Sequence, residues 1–146
     1  MKITKSEEFK ILLNYWAGRL NLKGPVKVTQ DNRMEYPFAV VAAKGKNLWV
    51  KYNSRKLGKR VKCVWVQEMF HELGHIVKPL PYHTEKQQII NEWVAERFAI
   101  KMLKKHYPAL YRSYALILKR NKTIEKLKKC DPLHYHAFKQ VKEYQL

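Results

Sequence analysis

Val61-Lys62-Cys63-Val64-Trp65-Val66-Gln67-Glu68-Met69-Phe70-His71-Glu72-Leu73-Gly74-His75-Ile76-Val77-Lys78 is the stretch that decides how this chain is read. It contains no proline, and its apolar residues at Val64, Val66, Met69, Phe70, Leu73 and Ile76 fit a helical period better than strict alternation. Pro79 and Pro81 end it abruptly. Inside it, His71-Glu72-Leu73-Gly74-His75 reads His-Glu-x-x-His. Two positions four apart on a helix differ by about 40° around the axis and about 6 Å along it. Both imidazoles can therefore reach one Zn²⁺ from the same face. Glu72 follows the first ligand, so its carboxylate can take a proton from a metal-activated water. Chance alone gives this pentapeptide pattern in roughly 2% of chains of this composition, so its context has to support it.

A second helix is expected from Thr84. Thr84 and Gln87 have capping-box spacing, and Ile89, Ile90, Trp93, Val94 and Phe98 follow. Glu92 and Glu96 are four apart on it and share a face with Ala95 and Ala99. A zinc ion held by two His needs a third protein ligand, and a ligand His wants an acceptor on its other ring nitrogen. Glu92 as third ligand and Glu96 as the His partner would meet both needs. Gly74 would allow close approach of the glutamate helix or of substrate.

With Asn91-Glu92-Trp93-Val94-Ala95-Glu96 following the His-Glu-x-x-His helix, the chain resembles the gluzincin zinc peptidases, the group that includes thermolysin. Their signature is His-Glu-x-x-His, then Glu-x-x-x-Asp on the next helix. Its small size makes it look like the minigluzincins and the ImmA/IrrE-type peptidases, and Ala95-Glu96-Arg97-Phe98-Ala99 is similar to their Ala-Asn/Asp-x-Phe-Ala segment. The likeness covers residues 61–103. Glu96 departs from it, since the group usually has Asp or Asn there. The resemblance implies an α+β, zincin-like domain: an N-terminal helix, a three-stranded sheet, the His-Glu-x-x-His helix, the glutamate helix and C-terminal helices. It also implies one Zn²⁺ per chain, held by His71, His75 and Glu92, with Glu72 as general base. SprT-like DNA-associated peptidases place a third His after the active-site helix, which makes His83 the rival third ligand. A metzincin would need Gly and His where Lys78 and Pro81 stand.

Such an enzyme also needs a donor for the developing oxyanion. Tyr82, His106, His134, Tyr135 and His136 are the candidates, and His134, Tyr135 and His136 are preferred because small zincins recruit this donor from the C-terminal region. The same residues, or Cys130 or Asp131, could instead fill the fourth zinc position and make the protein latent, as in minigluzincins.

At 146 residues one domain, 1–146, is expected, and 46% apolar content is enough for a core. Thr4 and Glu7 can cap a first helix whose buried stripe is Phe9, Leu12, Leu13, Trp16 and Leu20, ended by Gly24-Pro25. Strands are expected at residues 26–29, 38–43 and 48–52, the last two joined through Lys44-Gly45-Lys46-Asn47 as a hairpin. In zincins a strand edge near the metal holds extended substrate, here residues 38–43 or 48–52. Residues 53–60 read as a basic loop. Pro108 suits the first turn of a further helix, and Asp131 can cap a last one from Pro132, with Leu133, Ala137, Val141 and Tyr144 inward.

No apolar segment marks a secretory leader after Met1, and no run approaches the roughly 20 residues of a spanning helix, so a cytoplasmic protein without a membrane partner is expected. Cys63 and Cys130 alone make neither a disulfide framework nor a zinc ribbon. Net charge is +18: residues 44–62 hold eight basic residues and no acidic one, and residues 101–130 hold ten against Glu125. That balance suits a polyanion partner, or else a solvated lysine-rich surface. Two functions follow as expectations. One is a metallopeptidase that hydrolyses an intracellular protein or peptide substrate. The other is a basic DNA- or RNA-binding module with structural or vestigial zinc; a SprT-like protease recruited to DNA would combine them.

Overall fold

The computed structural model describes residues 2–22, 26–36, 38–42 and 48–144. The expected stop at Gly24-Pro25 and the expected turn at Lys44-Gly45-Lys46-Asn47 lie outside them. The chain is mainly helical with one small sheet, in keeping with the α+β class. It divides into two compact units, residues 1–61 and 62–146.

In the first unit, helix α1 (Lys5–Arg19) is opened by the expected capping box: Thr4 Oγ1 accepts from Glu7 N, and the Glu7 carboxylate accepts from Thr4 N. Its buried face is Phe9, Leu13, Trp16 and Ala17. Leu12 and Leu20, both expected inside, are only half-buried, because the stripe is narrower than the apolar spacing implied.

Strands β1 (Lys27–Gln30), β2 (Phe38–Ala42) and β3 (Leu48–Tyr52) pair in the order β1-β3-β2. β1 runs parallel to β3, and β2 runs antiparallel to it. The central place of β3 corrects one expectation. Residues 48–52 use both of their backbone edges within the sheet, so they cannot take up an extended peptide. Among the described residues, the sheet's open edges belong to β1 and β2.

A short helix α2 (Ser54–Gly58) replaces the basic loop expected at 53–60. The cause is Asn53, which is buried. Its Oδ1 accepts from Arg55 N at 3.1 Å and Lys56 N at 3.2 Å, while its Nδ2 donates to Met34 O at 2.9 Å. Lys5 Nζ donates to Gly58 O and Arg60 O at the far end, so both ends of this turn are satisfied.

Among its described residues the second unit holds five helices: α3 (Lys62–Val77), α4 (Glu85–His106), α5 (Pro108–Asn121), α6 (Thr123–Cys130) and α7 (Pro132–Phe138), followed by a 3-10 turn (Lys142–Tyr144). α3 buries Trp65, Val66, Met69, Phe70 and Leu73. α4 has the full Thr84–Gln87 capping box and buries Ala95, Glu96, Ala99, Ile100 and Leu103 along one face. Pro108 stands in the first turn of α5, and Asp131 caps α7 through His134 N, both as expected. α6 was not anticipated as a separate helix. Lys122 sits in the left-handed region at φ 48°, which breaks the helical run between α5 and α6 with no Gly or Pro to announce it. The last helix stops at Phe138, so Val141 is buried beyond it and Tyr144 is carried by the 3-10 turn.

α3 and α4 approach closely at Gly74. A Cβ there would lie 3.1 Å from both Cα and O of Ala95 and 3.0 Å from Phe98 Cδ1. Two of those atoms are backbone and cannot turn aside. Of the two uses foreseen for Gly74, the structure shows approach of the glutamate helix. Gly74→Ala is expected to lower stability by about 1–3 kcal/mol through overpacking, measured by urea unfolding. Gly18→Ala, in open space on α1, should instead be neutral or stabilising by up to about 1 kcal/mol.

Candidate metal centre

The centre is built where α3 faces α4. His71 and His75 stand one turn apart on α3, and Glu92 faces them from α4. His71 Nε2 lies 2.9 Å from Glu92 Oε2, His75 Nε2 lies 3.4 Å from Glu92 Oε1, and the two Nε2 atoms are 3.2 Å apart. One donor atom from each residue falls within 4.8 Å of the others, so the three form a group that can hold a metal ion.

The far side of each imidazole is also fixed. His71 Nδ1 is 2.8 Å from Glu96 Oε2, and His75 Nδ1 is 3.0 Å from Asn91 Oδ1. A carboxylate or amide oxygen can only accept, so each Nδ1 carries the proton and donates it. In the neutral ring that leaves the Nε2 lone pair directed at the shared space. The donor set and its tautomers therefore fit a divalent cation with nitrogen and carboxylate ligands.

The surrounding carboxylates make the cluster attractive to positive charge, and without a cation that charge is carried by protons on the imidazoles. Burial would depress the His71 pKa, but the Glu96 charge and hydrogen bonds to Glu92 and Glu96 outweigh it and hold it well above 6.5. His75 behaves alike: burial lowers it, and Glu92 more than compensates. Burial pushes Glu92 up, yet hydrogen bonds from His134, His71 and His75 hold its carboxyl far below the usual carboxylate range. Glu72 is raised from 4.5, mainly by burial, against the pull of His71 and His75.

His134 enters the same cluster from α7. Its Nε2 lies 3.1 Å from Glu92 Oε2 and its Nδ1 lies 2.8 Å from Asp131 Oδ2, an ion-pair contact rather than a directed hydrogen bond. The Glu92 contact, opposed by burial and helped by Asp131, raises its pKa to about 9. Phe138 forms an apolar wall, edge-on to His71 at 5.9 Å and to His134 at 5.3 Å between ring centroids.

Of the residues expected here, the structure brings together His71, Glu72, His75, Glu92, Glu96 and His134. Asp131 reaches it through His134, whereas Tyr82, His83, Tyr135, His136 and Cys130 are held elsewhere. His83 is exposed, its ring stacked on exposed Tyr82, and its backbone N–H is bound to Gln87 as part of the α4 cap. Tyr135 lies under Lys128 and Lys139, His136 is exposed, and the Cys130 thiol is exposed and bound to Lys126 O. α7 is helical, and successive positions turn by about 100°, so only one of three adjacent residues can face α4. The sequence reading assigned no role at this site to Gln67, Asn91, Phe138 or Tyr144, although Tyr144 was expected to face inward. Gln67 had a signal, since it precedes His71 by one helical turn, and Asn91 is the neighbour of Glu92. Tyr144 had none that tied it to the site. No known protein family, curated protein or solved structure matches this chain.

Because His71 and His75 hold protons past the ordinary imidazole range, a cation must displace them. Affinity for a divalent ion should therefore still be rising with pH above 6.5, and binding at pH 7 should release protons. Calorimetry in two buffers of different ionisation enthalpy measures the release. A pH-independent affinity between 6 and 8 would contradict it.

Proposed function

We propose that this protein is a zinc-dependent metallopeptidase of the gluzincin kind that hydrolyses peptide bonds in a protein substrate. The observation that carries the reading is the convergence of His71 Nε2, His75 Nε2 and the Glu92 carboxylate at one point, on a helix that also carries Glu72 between the two His. A structural zinc site needs the two imidazoles but has no use for the Glu between them.

His71, His75 and Glu92 would hold the ion, and zinc, when bound, supplies Lewis acidity that polarises a peptide carbonyl and acidifies water. The protein's own groups do the rest. Glu72 accepts the proton of the attacking water and returns it to the leaving amine. Its raised pKa suits it to both halves of that task, since a base tuned toward neutrality also gives the proton back. Glu96 and Asn91 hold the ligand rings in register. His134, 3.1 Å from Glu92, is the C-terminal candidate that stands at the centre, and its Nε2–H would turn from Glu92 to the substrate oxygen as negative charge grows there. Phe138 keeps one side of the centre apolar, which strengthens each of these charge interactions.

Elemental analysis of purified protein tests the reading. About one zinc per chain is expected in wild type, His83→Ala and Glu72→Gln, and none in Glu92→Ala. Glu72→Gln should keep metal and fold while losing at least about 100-fold in cleavage, the usual scale for a lost general base. Cleavage is scored by mass spectrometry on a protein and peptide library. Loss of zinc in His83→Ala with retention in Glu92→Ala would overturn the ligand set. We further read the substrate as one or a few proteins, by analogy with ImmA/IrrE-type enzymes. Efficient turnover of unstructured peptides of many sequences would overturn that part.

A second reading, a nucleic-acid-binding module, is favoured by one observation. All ten Lys and Arg of residues 101–130 are exposed, and among the described residues none of them forms an ion pair. If this surface binds DNA or RNA, affinity for a short duplex should fall steeply with salt, with a log–log slope near −0.9 for each phosphate neutralised. A flat slope would leave these charges as solvated surface.

A further inference from the structure

We propose that Tyr144 is a positioning residue for the metal ligand His71, acting through Glu96. The inference rests on the reading of His71, His75 and Glu92 as ligands. An imidazole rotates about its bond to Cβ, so the direction of Nε2 is set by whatever holds Nδ1. For His71 that is Glu96 Oε2, at 2.8 Å. Glu96 itself has three side-chain torsions, so it can fix a ring only if its own carboxylate is fixed.

The carboxylate is fixed through its other oxygen. Glu96 is 2% exposed, and its Oε1 accepts from Gln67 Nε2 and from the Tyr144 hydroxyl. Those two donors differ in kind. Gln67 lies on α3 one turn before His71, so its hold comes with the helix. Tyr144 arrives from the 3-10 turn after α7, 48 residues along the chain from Glu96.

Tyr144 is itself held. Its hydroxyl donates to Glu96 and so accepts from the Tyr114 hydroxyl of α5, 3.3 Å away. Its ring packs against Tyr114 and Phe138, each with centroids 6.3 Å apart. Phe138 in turn sits edge-on to His71. Tyr144 thus reaches the ligand by two indirect routes, by hydrogen bonds through Glu96 and by packing through Phe138. A purely structural tyrosine would need only one acceptor for its hydroxyl. This one shares the carboxylate that sets the ligand ring, which couples the two groups.

The test is zinc affinity by chelator competition for wild type, Tyr144→Phe, Glu96→Gln and the double variant, with thermal unfolding of each metal-free protein alongside. Tyr144→Phe should bind zinc about 10-fold more weakly, at the low end for loss of a partner behind a ligand. In the Glu96→Gln background the same change should cost nothing further, because the path is already cut. The cobalt-loaded protein should show shifted d–d bands in Tyr144→Phe, which report ligand geometry and not stability. Unchanged affinity and spectrum in a folded Tyr144→Phe, or full additivity in the double variant, overturns the proposal while the metal reading stands. If wild type binds neither zinc nor cobalt, the metal reading falls and this inference with it. Should Tyr144→Phe fail to fold, Tyr114→Phe removes the hydroxyl that supports Tyr144. It should weaken zinc binding in the same direction, and no change would again overturn the proposal.

Discussion

The absence of a side chain at Gly74 sets the close approach of α3 and α4 on which the metal cluster depends. With a Cβ only 3.1 Å from Ala95 Cα and O, a side chain there would force the α3–α4 contact to give by a few tenths of an ångström or more. Side chains reach a fixed distance from their helix axes, so the spacing of the two backbones decides whether a carboxylate on one meets an imidazole on the other. His75 follows Gly74, and Glu96 follows Ala95. Contacts of 2.8–2.9 Å between His71 and the two glutamates exist because the helices are this close just there. Small residues at Ala95 and Ala99 continue the same narrow seam along α4.

That seam gathers charges that would be costly apart. Glu96 is 2% exposed and His71 is 8% exposed, and an isolated ion in such a place loses most of its hydration. The cluster offsets this by mutual satisfaction. Both oxygens of Glu92 are engaged by imidazoles, and both oxygens of Glu96 accept hydrogen bonds. The same arrangement that holds protons on His71 and His75 in one condition presents two nitrogens and a carboxylate to a cation in another. Replacing two protons by one divalent ion changes little in the local charge.

The site was legible in the sequence to the extent that it is helical. The fixed rotation of a helix places His71 beside His75, and Glu92 beside Glu96, before any packing is known. Local capping was equally readable, and Thr4, Thr84, Asp131 and Pro108 all stand where short-range hydrogen bonding and backbone limits put them. Reading failed where the decisive partner was distant. Asn53 turned an expected loop into a helix because its amide found carbonyls of residues 32 and 34. Lys122 broke a helical run in a conformation its residue type does not favour. A run of three candidates, His134, Tyr135 and His136, could not be narrowed until the orientation of α7 against α4 was known.

By itself, then, the sequence determined which residues share a helix face, where most helices start, and that two imidazoles and a glutamate are available at ligand spacing. These follow from covalent geometry and short-range hydrogen bonds, which act within about one turn. Only the tertiary structure decided that Glu92 and not His83 joins the two histidines. It alone selected His134 from its neighbours, placed β3 between two other strands, and set Tyr144 against Glu96. Each of those outcomes depends on the relative placement of elements far apart in the chain. That placement is fixed by packing of whole surfaces, such as the Gly74–Ala95 contact, which no local pattern encodes.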